Sequence, residues 1–223
     1  MTGEELVRNW VDGWVLSRGA APPLVEPWGY TIHVGLPHHV SRHVIGATND
    51  AVTEEAVRKA AEATHGRDVH LKVFADPARV LPWLGPEWEA YGADDFLMST
   101  DLTPAAAPPV PGGYIRHLWT RAGVTRVLLT DTDGAFAARG QVAPTGASAV
   151  VDQIETSEGH RRKGLGRVVM GTLQAEARAL GATRAVLACT PEGRFLYESV
   201  GWRIDAPLAN AKYVGPKSSP RGD

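Results

Sequence analysis

The sequence predicts an α/β (α+β) fold, with a mixed, mostly antiparallel sheet flanked by helices. Three observations carry this. Apolar residues recur at helical spacing over 3–17, 52–65 and 165–180. Short runs rich in β-branched and aromatic residues follow one another from 114 to 156, separated by tight turn signals, as in an antiparallel meander. Strand-like runs at 147–156 and 184–189 bracket the longest helical stretch, which makes a strand–helix–strand unit.

Composition narrows the function classes. The chain has 223 residues, room for one large domain or two small ones. Its 23 Lys and Arg against 25 Asp and Glu leave a formal charge of −2, so no basic field points to nucleic acid. Cys189 is the single cysteine, which excludes an internal disulfide framework and a cysteine-based metal site and fits a reducing cytoplasm. The start, Met1-Thr2-Gly3-Glu4-Glu5, is acidic and does not read as a signal peptide. No apolar run approaches the roughly 18 residues of a membrane-crossing helix.

In chain order, Leu6, Val7, Trp10, Val11, Trp14 and Val15 predict an amphipathic helix over 3–17 that ends near Gly19. Residues 21–27 read as a proline-rich connector. Residues 30–34 read as a strand broken at Gly35 and Pro37, and 42–45 as another. Asn49 or Asp50 is placed to cap a helix over 52–65. Alternating Val69, Leu71 and Val73 predict a strand. A short helix over 78–84 and a strand over 95–100 follow. Residues 103–113, with four prolines and two glycines, read as the linker between two halves.

The second half begins with strands at 114–120 and 124–132 and a hairpin at Asp133-Gly134. Strands at 135–142 and 147–156 complete the meander. After the helix at 165–180, Gly181 suits a C-terminal cap, and Pro191 opens a short helix that stops near Gly201. A strand begins at 202–204, and with about 20 residues left it is expected to be short or absent. The polar 217–223 reads as a flexible tail. Residues 30–100 and 147–205 share one element order, which suggests a degenerate internal repeat.

The chemistry concentrates in His160-Arg161-Arg162-Lys163-Gly164-Leu165-Gly166-Arg167, between a strand and a helix. A helix N-terminus offers free N–H groups and a positive dipole end, and glycines let backbone approach a ligand closely. Basic side chains in the same turn favour a phosphate. Downstream stands Phe195-Leu196-Tyr197-Glu198-Ser199-Val200-Gly201-Trp202. His33, His38, His39 and His43 have no carboxylate or cysteine at ligand spacing, so no metal is expected. Trp10, Trp14 and Trp28 read by default as core, and Cys189 as a small buried hydrophobe. The terminal Arg221-Gly222-Asp223 reads as chance.

Over residues 113–205 the chain resembles the GNAT acyltransferase superfamily, whose members move an acetyl or related acyl group from coenzyme A to an amine. Arg161-Arg162-Lys163-Gly164-Leu165-Gly166 meets that family's Gln/Arg-x-x-Gly-x-Gly/Ala pattern. Leu196-Tyr197, three residues, then Gly201-Trp202 meets a second. The resemblance implies a GNAT-like sheet, with a degenerate GNAT-like copy in the first half if the repeat is real. It implies acetyl-CoA as co-substrate. Ile154, Glu155 and Thr156 would pair with the pantetheine arm. Arg161, Arg162, Lys163, Gly164, Leu165 and Gly166 would hold the pyrophosphate. Tyr197 would protonate the departing thiolate. Two departures stand out: Ser157-Glu158-Gly159 replaces a frequent proline, and Thr190 stands where asparagine is frequent, still able to bond the arm.

Direct transfer also needs a base. Asp152 and Glu155 are the nearest carboxylates, and their odd spacing in a regular strand puts them on opposite faces, with Asp152 beside Ile154 and Thr156. The expected activity is therefore a cytoplasmic N-acetyltransferase acting on a small-molecule primary amine. It would have no metal, nucleic-acid or membrane partner, and a homodimer is left open. A non-catalytic acyl-CoA-binding regulatory or scaffold module is the alternative, and a protein or peptide amine is a variant acceptor. The expected division is an acceptor-side N-terminal half over 1–110, an acetyltransferase domain over 113–210 and a tail over 216–223. The helices that shape the family's acceptor pocket are missing between 113 and 147 and would come from the first half, with 3–17 the candidate.

Overall fold

The computed structural model describes residues 2–92 and 94–216. In chain order the elements are α1 (Gly3–Arg18), β1 (Leu24–Glu26), β2 (Gly29–Leu36), β3 (His39–Thr48), α2 (Glu54–Glu62), β4 (Val69–Phe74), α3 (Pro77–Val80), β5 (Trp88–Ala90) and β6 (Asp95–Asp101). Then come β7 (Tyr114–Arg121), β8 (Val124–Asp131), β9 (Phe136–Thr145), β10 (Ser148–Thr156), α4 (Leu165–Ala179), β11 (Arg184–Cys189), α5 (Pro191–Glu198) and β12 (Arg203–Tyr213). They form two compact units. The first comprises the chain up to Arg8, Ala20–Phe96 and the chain from Ala206; the second comprises Asn9–Gly19 and Leu97–Asp205.

In the first unit, β1, β2 and β3 run antiparallel in turn, and β4 joins β3 in parallel through the α2 crossover. The C-terminal part of β12 lies antiparallel to β4 and to β5. Val57 and Ala60 of α2 bury against Ile45, Leu71, Val73 and Ala211, so the amphipathic stripe seen in the sequence is this unit's core. The helix starts later than Asn49 or Asp50. Those residues form a 3-10 turn, Asn49–Ala51, and the cap is Thr53, whose hydroxyl accepts from Ala56 N at 3.2 Å. The expectation of a short or absent last strand is overturned, because β12 runs 11 residues. Its Ala, Asn, Asp and Lys are weak strand formers, and burial between neighbours decides instead.

The second unit carries the antiparallel meander β7–β8–β9–β10, then β11 parallel to β10 across α4, with β6 beside β11. The hairpin after β8 closes through Asp131, whose carboxylate accepts from Asp133 N and Ala135 N. Gly140 of β9 admits α4: a Cβ there would lie 2.4 Å from Ile154 and 2.7 Å from Val169. The proline-rich 103–113 stretch is not a linker between units. It lies within the second one, with Pro108 against Gly171 of α4 and its carbonyl accepting from Arg116 at 2.8 Å. The tail 217–223, with its Arg-Gly-Asp ending, lies outside the described residues.

Candidate functional site

The site is built where β10 and β11 part. Their parallel pairing runs through Ser148–Arg184, Ala149–Ala185 and Val150–Val186. Beyond these positions lies a cleft of about 1250 Å³, lined by both strand ends, the turn after β10, the start of α4 and one face of α5. It includes Asp152, Ile154, Glu155, Thr156, Arg161, Arg162, Gly164, Leu165, Gly166, Thr190 and Tyr197. Residues named from two distant motifs thus share one cavity. Lys163 is exposed at the same turn but outside the lining.

A β-bulge shapes the near wall. Between Asp152 and Glu155, β10 has one residue more than β9, whose partners are Gln141 and Arg139. The extra residue is Gln153, held at φ 54°. The bulge cancels the odd spacing, because Gln141 and Arg139 lie two apart and so share a face, and Asp152 and Glu155 pair with them. Asp152 is fully engaged. Its carboxylate accepts from Arg18 Nε at 2.5 Å and Nη2 at 2.8 Å, from Ser17 Oγ at 2.7 Å and from Gln153 N at 2.8 Å. It thereby fastens the end of α1 to the bulge, and Gly13 brings the helix within 2.4 Å of Val150, measured from where a Cβ would stand. Glu155 pairs with Arg139 at 2.8 Å and stays half exposed.

The floor is the start of α4. Thr2, Thr53, Asp76 and Thr190 cap the other four helices with their side chains. Among the described residues α4 is the helix without such a cap. Its N-cap is Gly164 at φ 78°, a conformation that glycine adopts without strain, and its first internal bond is Val168 N to Gly164 O. The N–H groups of Leu165, Gly166 and Arg167 are thus left for a ligand, beside the exposed Arg161 and Arg162. At Gly166 a Cβ would lie 2.9 Å from Leu196 of α5. This cradle of uncapped amides, two guanidinium groups and a glycine-permitted close approach fits a pyrophosphate.

Tyr197 stands on the far wall. Its hydroxyl makes no hydrogen bond among the described residues, and the ring lies 6.2 Å from that of Trp202. Burial foremost, with Cys189 and Asp152 adding to it, pushes the phenol well above its usual pKa, so it stays protonated at neutral pH. Gly193, one turn earlier, makes room: a Cβ would stand 3.0 Å from Tyr197 Cε2. Cys189 is buried and donates to Met98 Sδ at 3.4 Å. Thr190 caps α5 through Gly193 N at 3.4 Å while lining the cleft. Trp10 and Trp14 are core, stacked at 5.9 Å. None of the four histidines is in this cavity's lining; His43 bonds Thr31 at 2.8 Å, and the His39 and His70 rings lie 4.1 Å apart, tilted by 34°.

Sequence reasoning missed the bulge at Gln153, the Ser17–Arg18 clasp on Asp152 and the role of Gly193. A glycine inside a helix was the one legible signal, since it costs about 1 kcal/mol there and so marks a close contact.

A family model described as "Acetyltransferase (GNAT) family" matches residues 98–202. Solved structures resemble nearly the whole chain. A GCN5-related N-acetyltransferase from Kribbella flavida aligns at TM-score 0.66 and 19% identity, covering 96% of each chain. A GCN5-related N-acetyltransferase-like protein from Streptococcus suis aligns at 0.57 and 11%, covering 94% of this chain and 98% of that one. A tandem GNAT protein of the clavulanic acid biosynthesis pathway aligns at 0.53 and 14%, covering 96% and 97%. No curated protein matches the chain significantly. These likenesses extend the fold to the first half, beyond the residues whose motifs announce it.

Proposed function

We propose that this chain, whose residues 98–202 match the acetyltransferase (GNAT) family model, is an acyltransferase of that family and transfers an acetyl group from acetyl-CoA to the primary amine of a small molecule. The observation that carries the reading is the cavity that joins the parted ends of β10 and β11, the uncapped start of α4 and Tyr197. Backbone along Ile154, Glu155 and Thr156 offers the pantetheine arm a strand edge. Arg161, Arg162 and the amides of Leu165 and Gly166 take the pyrophosphate, with Lys163 adding charge at the rim.

The amine nitrogen attacks the thioester carbonyl; the C–N bond forms and the C–S bond breaks. Tyr197 gives its phenolic proton to the departing thiolate. Glu155 accepts the proton that the amine loses, because it is the strand carboxylate not fastened by α1. Asp152 is a positioning residue that holds the bulge. The acyl donor is expected to bind in an extended form along that strand edge.

The test is release of thiol from acetyl-CoA with a panel of primary amines. We expect amine-dependent release, and Glu155→Gln should lower kcat/KM at neutral pH and recover as pH rises and free amine accumulates. Binding of acetyl-CoA without amine-dependent release would instead support a non-catalytic module.

A further inference from the structure

A second concavity lies on the meander, in the same unit. Its volume is about 740 Å³, in the range of small-molecule sites, and it is lined by Trp119, Arg126, Leu128, Phe136, Arg139 and Gln141 among others. Gln153 and Glu155 belong to its lining and to that of the cleft, so the two cavities meet at the bulge.

The register orders its side chains. Trp119 faces Arg126 across β7–β8, Arg126 faces Gln141 across β8–β9, and Gln141 faces Asp152 across β9–β10. A second row on the same face runs Leu128, Arg139, Glu155. Strands lie about 4.8 Å apart, so Arg126 sits about 10 Å from β10 and Trp119 about 14 Å. The end of α1 overlies Gln141, whose amide donates to Ser17 O at 2.8 Å and Ser17 Oγ at 2.7 Å.

The charges in this groove differ. Arg139 is paired with Glu155. Arg126 reaches the Val124 carbonyl at a long 3.5 Å and has no carboxylate partner among the described residues. Two aromatic faces are open nearby, Trp119 at 44% exposure and Phe136 at 38%, more than packing in a sheet surface requires.

We propose that this groove is the acceptor subsite and that its acceptor is an elongated amine with a flat apolar body and one anionic group, the amine at Gln153 and Glu155 and the anion on Arg126. The body lies against Trp119 and Phe136. The separation of the two ends excludes α-amino acids, whose amine and carboxylate share one carbon. The inference rests on the acyl-transfer reading for its chemistry, but not for its binding.

The test uses para-(aminoethyl)benzoate, its neutral carboxamide and free phenylalanine. Calorimetry without acetyl-CoA measures occupancy of the groove, and thiol release with acetyl-CoA measures transfer. We expect the carboxylate to bind and react about tenfold or more better than the carboxamide, and phenylalanine to do neither. Arg126→Gln should bring carboxylate and carboxamide close to parity, and Arg126→Lys should restore part of the preference. Acetyl-CoA binding by each variant serves as the folding control. Equal handling of carboxylate and carboxamide by the unsubstituted protein, or a preference that survives Arg126→Gln, overturns the inference. If the carboxylate binds but no amine releases thiol, the groove assignment stands and the acyl-transfer reading falls; transfer to other amines with no carboxylate preference does the reverse.

Discussion

Tyr197 and Gly193 face each other one turn apart, and the pair yields two separable predictions. Removing the hydroxyl as Tyr197→Phe keeps the ring that fills the wall but deletes the proposed proton donor. Turnover should fall by about a hundredfold or more while the Kd for acetyl-CoA hardly moves; steady-state kinetics beside calorimetry reads both. Full activity in this variant would show that another group protonates the thiolate. Gly193→Ala acts from behind, since its new Cβ would stand 3.0 Å from the ring. Alanine suits a helix better than glycine, so thermal stability should hold while kcat falls several-fold. Tyr197 was legible from its motif. Gly193's role was not, because contact across one helix turn depends on where a ring is aimed.

Among the elements, α1 shows how far periodicity reaches. The helix over 3–17 follows from its apolar spacing, and the structure returns Gly3–Arg18. The spacing did not reveal what the helix holds in place. Gly13 sits on β10, and Ser17 and Arg18 grip Asp152. A Cβ at Gly13 would fall 2.4 Å from Val150 Cγ2 and 3.2 Å from Val150 N, and the backbone atom has little freedom to retreat. Gly13→Val should therefore destabilise by about 1–3 kcal/mol and lower turnover, as denaturant unfolding and kinetics would report. The bulge was hidden for a related reason, since an extra residue in a strand leaves the local pattern nearly intact. In β3, His43 is buried between Thr31 and the edge of Trp28, and burial lowers its pKa to about 4. The folded ring is thus neutral where the unfolded one, near 6.5, would bind a proton. Stability from this residue is complete above about pH 6.5 and is lost as pH falls toward about 4, by up to about 3 kcal/mol. His43→Gln should flatten that part of the curve of unfolding free energy against pH.

At the scale of the whole chain, two units repeat one order of elements but differ at the step that carries the candidate cleft. In the second unit β10 and β11 part after Val150–Val186. In the first unit β3 and β4 pair from Ser41–Val69 to Val44–Lys72 and, after a register shift, rejoin at Thr48–Phe74, so the two strands come together again where β10 and β11 stay apart. The helix starts differ as sharply. Gly164 leaves the amides of α4 open among basic residues, whereas Thr53 caps α2 and Glu54 and Glu55 follow it. A phosphate at α2 would meet two carboxylates. The shared order was visible as an echo in the sequence, as was the missing glycine turn. The rejoining of β3 and β4 was not visible, because strand pairing is set by residues far apart in the chain.

Everything proposed for the chemistry depends on one acyl-CoA cleft per chain, built on the turn from Arg161 to Gly166. Calorimetric titration with acetyl-CoA probes that cleft without reference to any acceptor. One equivalent should bind per chain, with affinity lost or sharply reduced in Gly166→Val, whose side chain would collide with Leu196. Two equivalents per chain, no binding at millimolar ligand, or unchanged affinity in Gly166→Val would contradict it.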